Sequence, residues 1–204
     1  MDDIRKKVLE RQDPIVNEKL KNAKVSILGC GGLGSNIAMT LARAGVGELY
    51  LYDFDTIEYS NLNRQNYTLD DLGGDKAELT KKKIESTLPY VKCHSQNIYL
   101  TTENMDTIVD NTDIFIEAFD NKESKTMLFD YFVGRKDKYL ITGTGVSGLG
   151  DLSDIKIKQI DNVTLIGDFT SNPDEGLYLA YVGIIANLEA LTAIKILTGD
   201  YNGK

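Results

Sequence analysis

The sequence has little cysteine and histidine. Its 204 residues include two cysteines, Cys30 and Cys93, and one histidine, His94. No C-x-x-C pair occurs, so a disulfide framework and a four-cysteine zinc site are excluded. A lone histidine without a partner motif does not indicate catalysis or metal binding. The low cysteine content is typical of a reducing cytosol, and we expect a cytoplasmic protein.

Long apolar runs and surplus positive charge are also lacking. No uninterrupted apolar run approaches the ~18–20 residues that span a bilayer, and the first residues carry mixed charge without an apolar signal core. We therefore expect no membrane partner and no export. The net charge of −8 argues against affinity for DNA or RNA, tRNA included, because neutralising phosphates needs surplus lysine and arginine.

What is present is the composition of an average globular protein, with 42% apolar and 26% charged residues. We expect one domain over residues 1–204, opening with a helical segment over residues 1–22 that is interrupted near Pro14. Short apolar segments then alternate with helical patterns up to Thr142, with a short helix expected over residues 103–109. This alternation predicts an α/β fold with a doubly wound, mostly parallel sheet of Rossmann type.

The pattern changes after Gly143. Glycines are followed by two alternating segments, Ile155–Lys158 and Val163–Ile166, which predict an antiparallel extension of the sheet. The range Ala180–Leu197 predicts an apolar C-terminal helix that packs on the sheet.

A glycine-rich turn follows the first predicted strand. Residues 29–34 read Gly-Cys-Gly-Gly-Leu-Gly, which satisfies G-x-G-x-x-G between a strand and its helix. Such a turn lets phosphate oxygens approach bare N–H groups at a helix N-terminus. Asp53, at the end of the second strand, is suited to accept hydrogen bonds from ribose hydroxyls. Asp55 can do the same or cap its loop. To this point the site fits ATP and NAD equally.

Three further features favour ATP. The second strand runs into a polar segment over residues 53–65 that carries Asn61, Arg64 and Gln65. Lys76 starts a helix, where an ammonium is unfavourable unless an anion is near. Asp120 follows the fourth strand of the predicted parallel series, at the sheet edge where ligands of open α/β sheets bind.

Together these motifs resemble the ThiF/MoeB/HesA family, the bacterial relatives of ubiquitin-activating enzymes, over nearly the whole chain. The short ThiF-like branch associated with thiamine biosynthesis is the most similar. The resemblance implies ATP-dependent adenylation of the C-terminal carboxylate of a ubiquitin-like sulfur carrier protein ending in Gly-Gly. It further implies Mg²⁺ and a homodimer.

The resemblance also implies roles for individual residues. Arg64, Lys76 and Asp120 would be catalytic, with Asp120 organising Mg²⁺. Arg11 would match an arginine lent across the dimer interface. The nucleotide would be held by Gly29, Gly31, Gly32, Gly34, Asp53, Asp55, Asn61 and Gln65.

Two departures from the family limit this expectation. The paired C-x-x-C motifs of many members are absent, so no structural zinc is expected. No cysteine lies between Ser147 and Thr170, which speaks against a covalent thiol step. The alternatives are a related enzyme that acts on tRNA, an NAD-dependent oxidoreductase and a non-catalytic nucleotide-binding protein.

Overall fold

The computed structural model describes residues 1–201. Its centre is a seven-stranded sheet with the strand order β3-β2-β1-β4-β5-β7-β6. The strands are β1 (Lys24–Leu28), β2 (Glu48–Asp53), β3 (Lys92–Asn97), β4 (Ile114–Glu117), β5 (Tyr139–Gly143), β6 (Lys156–Ile160) and β7 (Val163–Gly167). The helices are α1 (Asp2–Val8), α2 (Pro14–Lys21), α3 (Gly34–Ala44), α4 (Lys76–Thr87), α5 (Lys122–Phe132) and α6 (Leu179–Thr198).

The sheet confirms the predicted fold class. Strands β1 to β5 and β7 pair in parallel, and β6 pairs with β7 antiparallel. The chain passes from β3 at one side of the sheet back to β4 beside β1, so the order reverses between β1 and β4. Ligands of open α/β sheets bind at such a reversal, outside the carboxyl ends of the strands.

The central strands are apolar because both of their faces are covered. Ile27 of β1 and Ile116 of β4 lie opposite each other in register and are fully buried. Helix α3 begins directly at the glycine turn and ends at Gly45, whose φ of +100° allows the left-handed cap. The turn and its helix therefore sit in fixed positions above β1.

The N-terminal segment forms two helices rather than one. Pro14 is the first residue of α2, and the Asp13 carboxylate caps this helix by accepting from the N–H groups of Ile15 and Val16. The interruption expected near Pro14 is thus a helix start.

The range 103–109, expected as one short helix, forms two separate 3₁₀ turns, Met105–Thr107 and Val109–Asn111. The Asn104 side chain accepts from the N–H of Thr101 at 2.9 Å. Short polar side chains that bond their own backbone compete with a continuous helix.

Helix α6 corrects the expectation drawn from uninterrupted apolar runs. Its 20 residues have a mean hydropathy of 1.5, enough by length and composition to cross a membrane. In the structure it packs along α3, β5 and α2, and 44% of the apolar window is buried. Ala186, Ala190 and Ala193 form part of its buried face.

Candidate functional site

A cleft lies at the reversal of strand order, where β1, β2 and β4 end. It brings together most of the residues singled out in the sequence with apolar side chains from α6 and from the loops after β5 and β7. The lining residues are Gly29, Gly31, Gly32, Leu33, Asp53, Phe54, Asp55, Arg64, Gln65, Lys76, Ala118, Phe119, Asp120, Asn121, Val146, Leu177 and Val182.

The glycines of the turn serve two different purposes. A Cβ on Gly34 would lie 1.8 Å from the carbonyl oxygen of Gly29, and one on Gly29 would lie 2.9 Å from that of Ala118. These two glycines are required by packing. Around Gly31 and Gly32 no atom would come closer than 3.5 Å, and their N–H groups find no acceptor within residues 1–201. The middle of the turn is open to a ligand.

Asp53 is fixed beside this turn. Its carboxylate accepts from the main-chain N–H of Cys30 at 2.6 Å and from that of Asp55 at 2.8 Å. Burial raises the pKa of Asp53, and these two hydrogen bonds oppose the rise. Each carboxylate oxygen has a second lone pair, so Asp53 can still accept from a hydroxyl group in the cleft.

Lys76 is buried rather than solvated, with 7% of its surface exposed. Its ammonium donates to the Asp55 carboxylate at 2.9 Å. This carboxylate is an anion of the kind that a lysine at the start of a helix requires. The main-chain N–H of Lys76 also donates to the carbonyl of Asp55 at 3.0 Å. Asp55 therefore holds Lys76, and a phosphate in the cleft would compete for the same ammonium.

Arg64 and Asp120 bring opposite charges to the cleft. The Arg64 guanidinium donates to the Ser60 carbonyl and to the Asn63 side chain, both at 2.8 Å. Burial lowers the pKa of Arg64, and the negative charge of Asp120 opposes this shift. Asp120 is exposed and does not cap α5, because Asn121 does so by accepting from an N–H of the first turn at 2.8 Å.

Three of the expected site residues do not line the cleft: Gly34, which has the packing role described above, Asn61 and Arg11. Asn61 accepts from the N–H of Glu58 at 3.0 Å and so caps the turn over residues 59–61. Arg11 is exposed between α1 and α2, where its neighbour Gln12 donates to the carbonyl of Arg43 at the C-terminal end of α3. The length of α3, about 16 Å, separates that end from the glycine turn. Within one chain Arg11 stays away from the cleft.

Gln65 does line the cleft. It is 8% exposed, and its Oε1 has no partner among the described residues. A buried amide oxygen without a donor is costly, which fits a site that a ligand completes.

Sequence reasoning did not identify Tyr67, Phe54 or the pair Glu117–Lys125. Tyr67 is buried, with its hydroxyl near the glycine turn. Phe54 is 46% exposed at the cleft and packs edge-on against Tyr99, with ring centroids 4.8 Å apart. These contacts join residues that are apart in the sequence, and no local motif predicts them.

Neither cysteine is placed for nucleophilic chemistry. Cys30 and Cys93 are buried, and burial raises the pKa of both thiols, that of Cys93 to about 12. Cys30 takes part in the turn through its backbone N–H and carbonyl. Over residues 1–201 no cluster of three histidine, cysteine or acidic residues could hold a metal ion by itself.

The chain is similar to known proteins along nearly its whole length. The model of the ThiF family matches residues 5–204. The molybdopterin-synthase adenylyltransferase of Haemophilus influenzae is 33% identical over 198 residues, covering 93% of this chain and 80% of that protein. The adenylyltransferase and sulfurtransferase MOCS3 of Dictyostelium discoideum is 32% identical over 192 residues, 90% of this chain and 45% of that protein.

A sulfur carrier protein adenylyltransferase of Thermus thermophilus is 35% identical over 127 residues, 62% of this chain and 47% of that protein. The chain therefore spans less than half the length of two of these three relatives.

Solved structures agree with the fold. The tRNA N6-threonylcarbamoyladenosine dehydratase TcdA of E. coli, in complex with ATP, superposes with a TM-score of 0.84 at 21% identity, over 95% of this chain and 93% of that one. At this identity the likeness concerns the fold alone. The E. coli protein MccB with ATP gives a TM-score of 0.75 at 25% identity, over 93% of this chain and 59% of that one.

Proposed function

Because the chain belongs to the ThiF family, we propose that it is an ATP-dependent adenylyltransferase. Its substrate in this proposal is the C-terminal carboxylate of a small ubiquitin-like sulfur carrier protein that ends in Gly-Gly. The observation that carries the proposal is the convergence of Arg64, Lys76 and Asp120 on one cleft beside Gly31 and Gly32. The names of the Haemophilus and Thermus relatives support it.

The reaction needs cations around a phosphate and no protein nucleophile. A carboxylate oxygen of the carrier attacks the α-phosphorus of ATP, a C(O)–O–P bond forms, and pyrophosphate leaves with the electrons of the broken P–O bond. Negative charge builds on the phosphate oxygens, so alignment and electrostatic stabilisation carry catalysis. Arg64 offers a planar fork of donors and Lys76 a point charge. The free N–H groups of Gly31 and Gly32 add donors that need no reorganisation.

Asp120 fits the requirements of a magnesium ligand. Its carboxylate is exposed at the cleft and finds no hydrogen-bond partner in the described part of the chain. Mg²⁺ typically takes one or two carboxylates and completes its shell with phosphate oxygens and water. When bound, the ion would neutralise charge on the phosphates. Asp55 would release Lys76 as the phosphates arrive, since both compete for the ammonium.

The carrier tail would approach over the segment 143–150 in extended form. Val146 of this segment lines the cleft together with Leu177 and Val182. The glycines of the segment have a packing role as well, because a Cβ on Gly145 would lie 2.1 Å from the Asp168 carboxylate. A cleft lined by both apolar and charged side chains suits a peptide whose terminal carboxylate must reach the α-phosphate.

We also propose an oligomeric state, a pathway and a cellular location. The outward face of α6 exposes Ile184 and Leu191 to 37% and 47%, and we propose that a second copy of the chain covers this apolar face. Arg11 would reach a nucleotide only from such a second copy. In this proposal the protein acts in the cytoplasm, in thiamine biosynthesis or a related sulfur-cofactor pathway.

A tRNA substrate is the second candidate, since the fold match to the E. coli dehydratase covers nearly both full chains. The net charge of −8 weighs against it. An oxidoreductase using NAD would leave Arg64 and Lys76 without a purpose, and a non-catalytic ATP-binding protein would release no pyrophosphate.

Exchange of labelled pyrophosphate into ATP tests the proposal. We expect exchange that depends on Mg²⁺ and on a carrier ending in Gly-Gly, and no exchange with the same carrier lacking its last glycine. Exchange supported by tRNA and by no carrier would select the second candidate. Binding of NAD in preference to ATP, or ATP binding without exchange under any condition, would contradict adenylation.

A further inference from the structure

A partly buried ion pair joins Glu117, the last residue of β4, to Lys125 of α5 beside the carboxyl end of β5. The ammonium of Lys125 donates to the two carboxylate oxygens of Glu117 at 3.1 and 2.9 Å and to the carbonyl of Gly143 at 2.9 Å. The Glu117 side chain is 1% exposed and that of Lys125 28%. All three ammonium hydrogens therefore have an acceptor in the protein.

Glu117 connects the ion pair to residues that line the cleft. One of its carboxylate oxygens accepts from the main-chain N–H of Phe119 at 2.6 Å, and the other accepts from the hydroxyl of Thr142. The first bond fixes the turn that leads from β4 to Asp120, and the second ties that turn to β5. Phe119 and Asp120 both line the cleft, whereas Lys125 and Glu117 do not touch it.

A second buried acid, Glu189 of α6, lies near this pair. It is fully buried, and neither of its carboxylate oxygens has a partner within residues 1–201. Burial raises its pKa well above the ordinary value, and the charge of Lys125 only partly opposes this. Burial thus disfavours a second negative charge beside Glu117, and the ammonium of Lys125 bonds the Glu117 carboxylate directly.

We propose that Lys125 is a positioning residue for Asp120, and that through Glu117 it sets how strongly Mg²⁺ improves nucleotide binding. Without Lys125 the Glu117 charge is buried and uncompensated, so it must take a proton or turn away. Phe119 then loses its charged acceptor and residues 118–120 relax. The glycine turn keeps its own support, because the N–H of Ala118 bonds the carbonyl of Leu28 at 2.8 Å. This proposal rests on the proposed function in that it takes Asp120 as the magnesium ligand.

The test measures the dissociation constant of ATP by calorimetry, once with EDTA and once with Mg²⁺. The gain from Mg²⁺ is the factor by which Mg²⁺ lowers this dissociation constant. In Lys125→Met we expect the dissociation constant with EDTA to stay close to that of wild type. The gain should shrink by about 10–100-fold, the usual cost of losing an outer partner of a metal ligand. Lys125→Arg should retain the gain, because a guanidinium also bonds a carboxylate through two hydrogens. Glu117→Gln, a milder change that keeps an acceptor for Phe119, should lose part of it.

Lys138 provides a matched control at the opposite ends of the same two strands. Its ammonium bonds the Thr112 carbonyl at 3.0 Å and the Asp113 carboxylate at 3.1 Å, far along β4 and β5 from the cleft. Lys138→Met should lower the melting temperature and leave the gain from Mg²⁺ intact. An unchanged gain in Lys125→Met overturns the proposal, as does equal weakening of ATP binding with and without Mg²⁺. Wild-type protein that binds ATP with a Mg²⁺ gain yet shows no pyrophosphate exchange overturns the proposed function alone.

Discussion

The hydroxyl of Tyr67 donates to the main-chain carbonyl of Cys30 at 2.8 Å and lies 2.9 Å from the hydroxyl of Thr80 on α4. A single side chain thus ties the glycine turn after β1 to the helix that begins with Lys76. The two halves of the proposed phosphate site are thereby linked through one side chain.

Removing this hydroxyl should loosen the turn. We expect Tyr67→Phe to lower the free energy of unfolding by about 1–3 kcal/mol, because a buried carbonyl loses its donor, and to weaken ATP binding as well. Urea unfolding and calorimetry measure the two effects. Tyr139→Phe, at an exposed tyrosine on β5, should change neither. Equal stability of Tyr67→Phe and wild type would contradict the proposed link.

Arg64 and Asp120 should be needed for activity and dispensable for folding. We expect Arg64→Ala and Asp120→Ala to reduce pyrophosphate exchange by at least about 100-fold, the scale of losing one transition-state contact, with little change in melting temperature. Arg135→Ala is a suitable control, because Arg135 stacks on Tyr131 at 4.1 Å outside the cleft. Full activity in both cleft variants would refute the site assignment.

Two glycines of the turn should respond differently to alanine. Gly34→Ala places a methyl group 1.8 Å from a backbone oxygen, so we expect a loss of about 3 kcal/mol or more in the free energy of unfolding. Gly31→Ala meets no atom closer than 3.7 Å and should fold normally. Its methyl group stands where a phosphate would approach, so the dissociation constant of ATP should rise by about tenfold or more. Wild-type ATP affinity in folded Gly31→Ala would mean that the phosphates bind elsewhere.

Much of the fold follows from local patterns. The alternation of strands and helices predicts the parallel sheet, and the glycines at positions 29–34 locate its ligand edge, because steric limits on a turn are local. Arg64 and Asp120 follow predicted strands and Lys76 begins a predicted helix. In a doubly wound sheet such positions lie at the same side of the sheet.

The remaining features depend on partners that are distant in sequence. Asn61 looks like a phosphate ligand in a motif, yet its amide caps the turn of residues 59–61. The sequence gives no sign that Lys125 reaches across to Gly143, since that contact exists only once β4 and β5 pair. Lys76 stands close to a run of lysines on one helix, and its burial against Asp55 distinguishes it from the exposed Lys82.

Low pH should destabilise the fold through Glu48, which begins β2 at the end of the strand away from the cleft. Burial alone would raise its pKa, but hydrogen bonds from His94, Tyr50 and Lys92 and the charge of Lys24 lower it to about 2. A carboxyl with a lowered pKa stabilises the fold above its unfolded value of about 4.3, and this stabilisation is lost as the pH falls through about 2. We expect it to be about 1–2 kcal/mol at neutral pH, since solvent screens the exposed lysines.

Unfolding of Glu48→Gln measures this contribution. The variant should be less stable than wild type at pH 7, and the two curves of stability against pH should converge near pH 2. Curves that stay parallel between pH 6 and pH 2 would show that the Glu48 charge is not responsible.

The outer face of α6 should determine assembly. If a second copy covers Leu191, then Leu191→Glu buries an unpaired charge at the interface and should convert a dimer into monomers in sedimentation experiments. Leu69→Glu, at a leucine that is 66% exposed elsewhere, should leave the dimer intact. A monomeric wild type, or a Leu191→Glu variant that remains dimeric, would rule out this interface.

The same dimer gives a test of Arg11 that a single chain cannot. Homodimers of Arg11→Ala lack the lent arginine in both sites, and homodimers of Arg64→Ala lack the cleft arginine in both, so each variant alone should show little exchange. A mixed dimer has one site that combines Arg64 of one chain with Arg11 of the other. Refolding the two inactive variants together should therefore restore up to about one quarter of wild-type activity, because random pairing makes half of the dimers mixed and one of their two sites is complete. No recovery despite proven mixed dimers would place Arg11 outside the reaction, because only an arginine acting across the interface can complement in this way.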